Sequence, residues 1–250
     1  MVEYIDIIKR LIQYRHTHHL TQTQLAEIFS VTQCEVSKLE ANEYRISYYD
    51  LLQLHTKTKL DIDFLITGRQ GENTIFHTLE KSLCPILSAK YRYIDLILFS
   101  LNNFSGQISV NGNRQEHLKN LQRLLRYSFL SGSKQKNDCW INIRSAFDLT
   151  QIQMAKIVDI DIKRYRNIEK GERTANAELL MNIYNTLEIY PSYFICGKLE
   201  NYQCLDEIFQ ELSKQNREKI ISYINFYHVL LTVNYKLLSK SADIIDVAII

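Results

Sequence analysis

The side chains of this chain that could do chemistry are hydrogen-bond donors and charges rather than nucleophiles. Lys163, Arg164, Arg166 and Asn167 fall within one short stretch, with Arg173 just beyond it. A matching stretch 129 residues earlier carries Gln33, Cys34, Ser37 and Lys38, and Gln22 and Gln151 stand at equivalent places upstream. Ammonium and guanidinium groups neutralise phosphates and release their counterions. Carboxamides and guanidinium groups also match the hydrogen-bonding edges of base pairs. Nothing in the sequence suggests bond making: there is no Gly-rich phosphate loop, G-x-S-x-G, H-E-x-x-H or paired-cysteine zinc motif. An enzyme is therefore not expected, nor a cofactor or a metal. His16, His18 and His19 invite a metal reading, but no cysteine or carboxylate nearby in sequence completes a coordination shell. Cys34 reads as a small contact residue rather than a redox switch.

Such donors need short rigid elements to aim them, and the sequence supplies these twice. Leu20 to Gly68 lies over Leu149 to Gly197 without a gap across 49 positions. LTQTQLAEIF meets LTQIQMAKIV, Glu40 meets Glu169, Glu43 meets Glu172 and Leu51 meets Leu180. Upstream, Arg15 meets Arg144. Apolar positions recur with helical period, at Leu25, Ile28, Phe29, Val36, Leu39, Leu51, Leu52 and Leu54 in the first copy. Met154, Ile157, Val158, Tyr165, Ile168, Leu179, Leu180 and Ile183 repeat the rhythm. Thr21 and Thr150 are expected N-caps. Only Ser30-Val31-Thr32 and Asp159-Ile160-Asp161 separate the second and third helices, which predicts a helix-turn-helix arrangement in each copy.

These residues resemble the lambda-repressor-like (Cro-type, xenobiotic-response-element) helix-turn-helix domains of bacterial and phage regulators, over Ile5 to Arg69 and about Asp138 to Leu199. The features shared are an Arg in helix one, L-T-Q-x-x-L-A opening helix two, and a Glu followed by a Gly-containing loop after helix three. Copy two matches better, with Glu169-Lys170-Gly171-Glu172-Arg173; copy one has Asn42 where Gly is usual. His19 and Asp148 replace the Gly before L-T-Q, and all three are residue types that tolerate positive φ. The resemblance implies that Arg15 with Glu40, and Arg144 with Glu169, form structural ion pairs between helices one and three. It implies that Gln22 and Gln151 donate to phosphate, with the dipole of helix two behind them. The third helix then lies in the major groove. Gln33, Cys34, Ser37 and Lys38 would read bases in copy one, Gln33 at a position able to pair with adenine. Lys163, Arg164, Arg166 and Asn167 would do so in copy two, with Arg173 in the loop. Glu35 would sit awkwardly near phosphate unless it accepts from a cytosine amino group.

Composition bounds the rest. Seven glycines and two prolines in 250 residues disfavour a sandwich or barrel, and 46% hydrophobic residues disfavour disorder, so an all-α chain is expected. The net charge of +2 gives no global field toward nucleic acid or membrane, so any basic patch is local. Five unpaired cysteines fit a reducing compartment, and no stretch reads as a signal peptide or a membrane span; a cytoplasmic location is expected. The expected organisation is a first helix-turn-helix domain at 1–70 and a helical connecting or dimerisation segment at 71–133. A second such domain follows at 134–200 and a C-terminal helical tail at 201–250. Within it, Ile75-Phe76-x-x-Leu79 resembles Ile208-Phe209-x-x-Leu212, Arg114 to Leu130 reads as an amphipathic helix, and Ser131 to Asp138 as a linker. The expected activity is sequence-specific binding of double-stranded DNA in transcription regulation, as a homodimer or as a pseudo-dimer of the two copies on an imperfect palindrome. The competing reading is a protein-interaction module, an antirepressor or antitoxin-like adaptor, in which one or both copies have lost DNA contact. A regulator with an unidentified effector in 72–130 is a third.

Overall fold

The computed structural model describes residues 1–69, 138–196 and parts of the remaining chain, at 116–117, 119–121, 123–124, 209, 212–223, 225–226 and 229–230. Five helices form the first copy: α1 (Tyr4–Thr17), α2 (Gln22–Phe29), α3 (Gln33–Glu40), α4 (Tyr48–Thr58) and α5 (Ile62–Thr67). Five form the second: α6 (Asp138–Ala146), α7 (Gln151–Ile157), α8 (Ile162–Glu169), α9 (Ala177–Leu187) and α10 (Ser192–Cys196). Among the described residues the architecture is all-α, and extended pairing is confined to one isolated antiparallel bridge, Ser47 with Asn176. No helix of the described residues is long and apolar enough to cross a membrane.

Local chemistry sets the helix starts. Thr21 accepts from Gln24 N and Thr150 from Gln153 N, each closed into a capping box by the glutamine side chain. Thr32 with Glu35 and Ser47 with Asp50 repeat the device at α3 and α4. Each cap satisfies amides that a helix otherwise leaves without partners. The helix ends repeat as well: φ is positive at His19 and Asp148 (53° and 52°), Ser30 and Asp159 (61° and 56°), Asn42 and Gly171 (64° and 78°), and Lys59 and Glu188 (60° and 54°). A left-handed residue other than Gly costs about 1–2 kcal/mol. Of the seven non-glycine instances, His19, Asn42, Asp148 and Asp159 are types that tolerate this conformation, whereas at Ser30, Lys59 and Glu188 the packing of the helices imposes it.

The apolar stripes point inward in both copies. Ile7, Leu11, Leu25, Val36, Leu51 and Leu54 are buried in the first, and Ile143, Met154, Tyr165, Leu180 and Ile183 in the second. Burial of each such side chain contributes about 1.5–3 kcal/mol. Trp140 packs edge-on to Tyr165 and beside Phe194. One position shows the same task done by different chemistry. Arg10 donates to the Leu65 and Ile66 carbonyls at the end of α5, both at 2.7 Å, and Cys139, its equivalent, donates to the Tyr193 carbonyl at 3.6 Å. Burial pushes the Cys139 thiol up to about 11.

The chain groups into two compact units. Met1–Glu72 with Arg126–Asn201 form one, and Asn73–Leu125 with Tyr202–Ile250 form the other. Both copies thus share the first unit, where α5 packs on α9 and α10 on α4. In the second unit Leu121 and Leu124 are buried while Glu116, Lys119 and Arg123 are exposed, the amphipathic pattern expected there. Phe209 and Leu212 are buried, and 214–223 is helical. The repeated Ile75-Phe76-Leu79 motif and the linker before Asp138 lie outside the described residues.

Candidate nucleic-acid interface

In each copy a largely buried ion pair anchors the helix that carries the candidate donors. Arg15 grips Glu40 with two nitrogens, Nε to Oε1 at 2.6 Å and Nη2 to Oε2 at 3.0 Å, and its Nη1 donates to the Leu20 carbonyl at 3.1 Å. The two side chains are only 13% and 9% exposed. Arg144 and Glu169 repeat the contact at 2.6 Å, and Tyr165 adds a hydroxyl donor to Glu169 at 2.8 Å. Burial by itself would raise both carboxyls. Hydrogen bonds from Arg15 and Gln22 outweigh it at Glu40, and those from Arg144, Gln151 and Tyr165 do so at Glu169, so both sit below the usual carboxylate range. The ion pairs are therefore structural, joining helix one to helix three.

A glutamine carries each ion pair outward. Gln22 Nε2 donates to Glu40 at 2.8 Å while its Oε1 accepts from Gln33 Nε2 at 2.7 Å. Gln151 Nε2 donates to Glu169 at 2.6 Å while its Oε1 accepts from Arg166 Nε at 3.2 Å. Gln22 and Gln151, expected as phosphate donors, thus also bridge within the protein, a role the resemblance does not imply. The signal was present, since each glutamine precedes its glutamate by 18 residues. The bridge holds one surface donor in place in each copy, Gln33 in the first and Arg166 in the second. Arg166 aligns with Ser37, so the held donors differ by four residues, about one helical turn or ~6 Å along the axis.

On α3, Gln33, Cys34, Ser37 and Lys38 are all exposed and share a face opposite the buried Val36 and Leu39. Glu35 does not join them as a lone charge. Its carboxylate accepts from the Thr32 amide and hydroxyl, at 2.8 and 2.9 Å, and these bonds hold its pKa down. On α8, Lys163 and Arg166 are exposed, whereas Arg164 and Asn167 are half-buried. Asn167, in the amide orientation its neighbours require, donates to the Lys163 carbonyl and to Glu172, which ties the helix to its loop. Arg173 is exposed in that loop, at the rim of a cavity of about 190 Å³ lined by Tyr48, Tyr49, Trp140 and Phe194. Among the described residues no cluster of three potential metal ligands occurs, and His16, His18 and His19 are exposed.

Comparison with protein-family models, with curated proteins and with solved structures finds no match to the chain.

Proposed function

We propose that the protein is a sequence-specific double-stranded DNA-binding transcriptional regulator of bacterial or phage type. In this reading α2–α3 and α7–α8 are tandem helix-turn-helix units whose second helices enter the major groove. One observation carries it: in both copies the same part-buried Arg–Glu–Gln relay ends on a donor at the surface of the third helix. A fold needs the ion pair for stability, but it does not need a preorganised donor on a polar, solvent-facing helix. Holding that donor in advance reduces the ordering cost when it meets a base edge. Gln22 and Gln151 each keep a second amide proton for phosphate, consistent with their place at a helix start.

The experiment is selection of the purified full chain on a randomised duplex library at two salt concentrations. An enriched motif with a steep salt dependence supports the reading; retention without enrichment at either salt overturns it. Lys163→Ala with Arg164→Ala should then lower the slope of log K against log salt by about 2, roughly 0.9 per phosphate contact removed. A second reading, a protein-interaction module, is favoured by one observation. Tyr223, Phe226, Val229 and Leu230 expose an apolar stripe, 42–64% accessible, along the C-terminal helical segment. Such a stripe suits a protein contact, a second copy of the chain included. Binding of a protein partner that survives both substitutions, with no duplex enriched, would establish that reading instead.

A further inference from the structure

The geometry points to a single chain that works as a built-in dimer: its two copies meet about an internal two-fold axis and read two unlike half-sites of one non-palindromic duplex. This rests on the DNA-binding reading above. The axis is visible in the contacts. Tyr48 N donates to the Ala175 carbonyl at 3.2 Å, and Ala177 N donates to the Ile46 carbonyl at 2.9 Å. Adding 129 to Ile46 and Tyr48 gives Ala175 and Ala177, so each bond is the mate of the other. Ser47 pairs with its own equivalent, Asn176, and Asp63 accepts at 2.7 Å from the amide of its own equivalent, Ser192. Contacts between a residue and its own counterpart arise only on a two-fold axis, the isologous arrangement of a symmetric dimer.

The seam also selects unlike partners. Arg45 pairs with Glu178 at 3.1 Å, and the positions equivalent to these are Thr174 and Tyr49. Copy one against copy one would set Arg45 opposite Tyr49, and copy two against copy two would set Thr174 opposite Glu178. Only the mixed pairing joins the charges. Exposed pairs contribute little to stability, yet they distinguish one partner from another.

Each reading helix leads directly to the axis. Ser47 follows Glu40 by seven positions, and Asn176 follows Glu169 by seven. At about 3.4 Å per residue each helix end lies within roughly 24 Å of the axis, which accommodates half-sites one helical turn apart, about 34–36 Å. The two half-sites cannot be alike. Copy one offers the held carboxamide of Gln33, which suits adenine; copy two offers Lys163 and the held guanidinium of Arg166, which suit guanine. The held donors also stand one helical turn apart in their helices, so the specified bases fall at different distances from the dyad.

The test uses the full chain and the duplex found by selection. Two unlike half-sites one turn apart are expected, an A·T-rich one and a G·C-rich one, with one chain per duplex in sedimentation. Gln33→Ala should relax selection only in the A·T half-site. Lys163→Ala with Arg166→Ala should relax it only in the other, and unchanged melting would show that these surface variants remain folded. Inserting five base pairs between the half-sites should weaken binding by about a hundredfold, and inserting ten should not restore it, because the seam fixes the spacing. A perfect palindrome occupied by two chains, a single half-site, or recovery at ten inserted pairs each overturns the inference while leaving DNA binding in place. Failure to enrich any duplex overturns the DNA-binding reading itself.

Discussion

Replacing Arg15 by Ala tests both the buried ion pair and the seam, because the loss is made in one copy and can be read in the other. Arg15 donates four hydrogen bonds, two of them to a carboxylate only 9% exposed, one to the Leu20 carbonyl and one to His16 Nε2. Truncation leaves Glu40 desolvated with Gln22 still donating to it. Breaking a buried pair costs about 3–5 kcal/mol, and the slight exposure of both partners places this one near 3 kcal/mol. With a urea dependence of about 2 kcal/mol/M the midpoint should fall by roughly 1.5 M. The assay follows far-UV circular dichroism together with the fluorescence of Trp140, the chain's single tryptophan, which is buried in copy two beside Tyr165 and Phe194. If the two copies unfold as one unit, the Trp140 transition moves with the mutation in copy one. A Trp140 midpoint that stays in place while the dichroism midpoint falls would refute the coupling across Ser47 and Asn176. Midpoints that both stay within about 0.3 M would refute the burial argument for the pair. Changing Arg15→Met together with Glu40→Leu should recover most of the loss, since an apolar pair of similar volume carries no desolvation penalty.

Arg144→Ala should cost less, about 2 kcal/mol, because Arg144 is 25% exposed and Glu169 keeps Tyr165 and Gln151 as donors. Both carboxyls are held below their unfolded values, so the stability they contribute is complete at neutral pH. It is lost as pH falls through the depressed folded values; urea midpoints should drop between about pH 5 and pH 2, and less steeply in the Arg15→Met, Glu40→Leu variant. Lys59→Gly should stabilise by about 0.5–1 kcal/mol in thermal melting, because Lys59 ends α4 at φ 60°. Gly68→Ala should destabilise by about 1 kcal/mol, since φ is +74° and a Cβ would stand 2.9 Å from Arg10 Nη1. Peptide mapping after brief maleimide treatment of the native protein should find Cys34 modified and Cys139 protected, in line with the exposed and buried thiols. Equal labelling of the two would contradict the packing of α6.

Much of the local structure was legible in the sequence because its causes span only a few residues. Thr21 and Thr150 announce their helices through hydroxyls that reach an amide three positions on. His19, Asp148 and Asn42 mark left-handed turns by residue type, and all three adopt positive φ. The pairing of Arg15 with Glu40, and of Arg144 with Glu169, is implied by the resemblance to helix-turn-helix domains, and both pairs are joined in the structure. The exposure of Gln33, Cys34, Ser37 and Lys38 follows from a helical period whose other positions are apolar. The capping role of Glu35 is legible in the same way, since Thr32 stands three residues before it.

What only the tertiary structure decided is how the copies use one another. Ser47 and Asn176 are small polar N-caps whose types say nothing about pairing, and their bridge exists because the stretches before α4 and α9 are brought side by side. Asp63 meets the amide of Ser192 across 129 residues for the same reason. The bridging role of Gln22 and Gln151 likewise depends on the crossing of helices, which brings side chains 18 residues apart within hydrogen-bonding distance. Caps, turns and periodic stripes are set by neighbours along the chain, and so are written in it. The seam and the relay are set by which faces the packed helices leave to meet, a choice made by the whole fold at once.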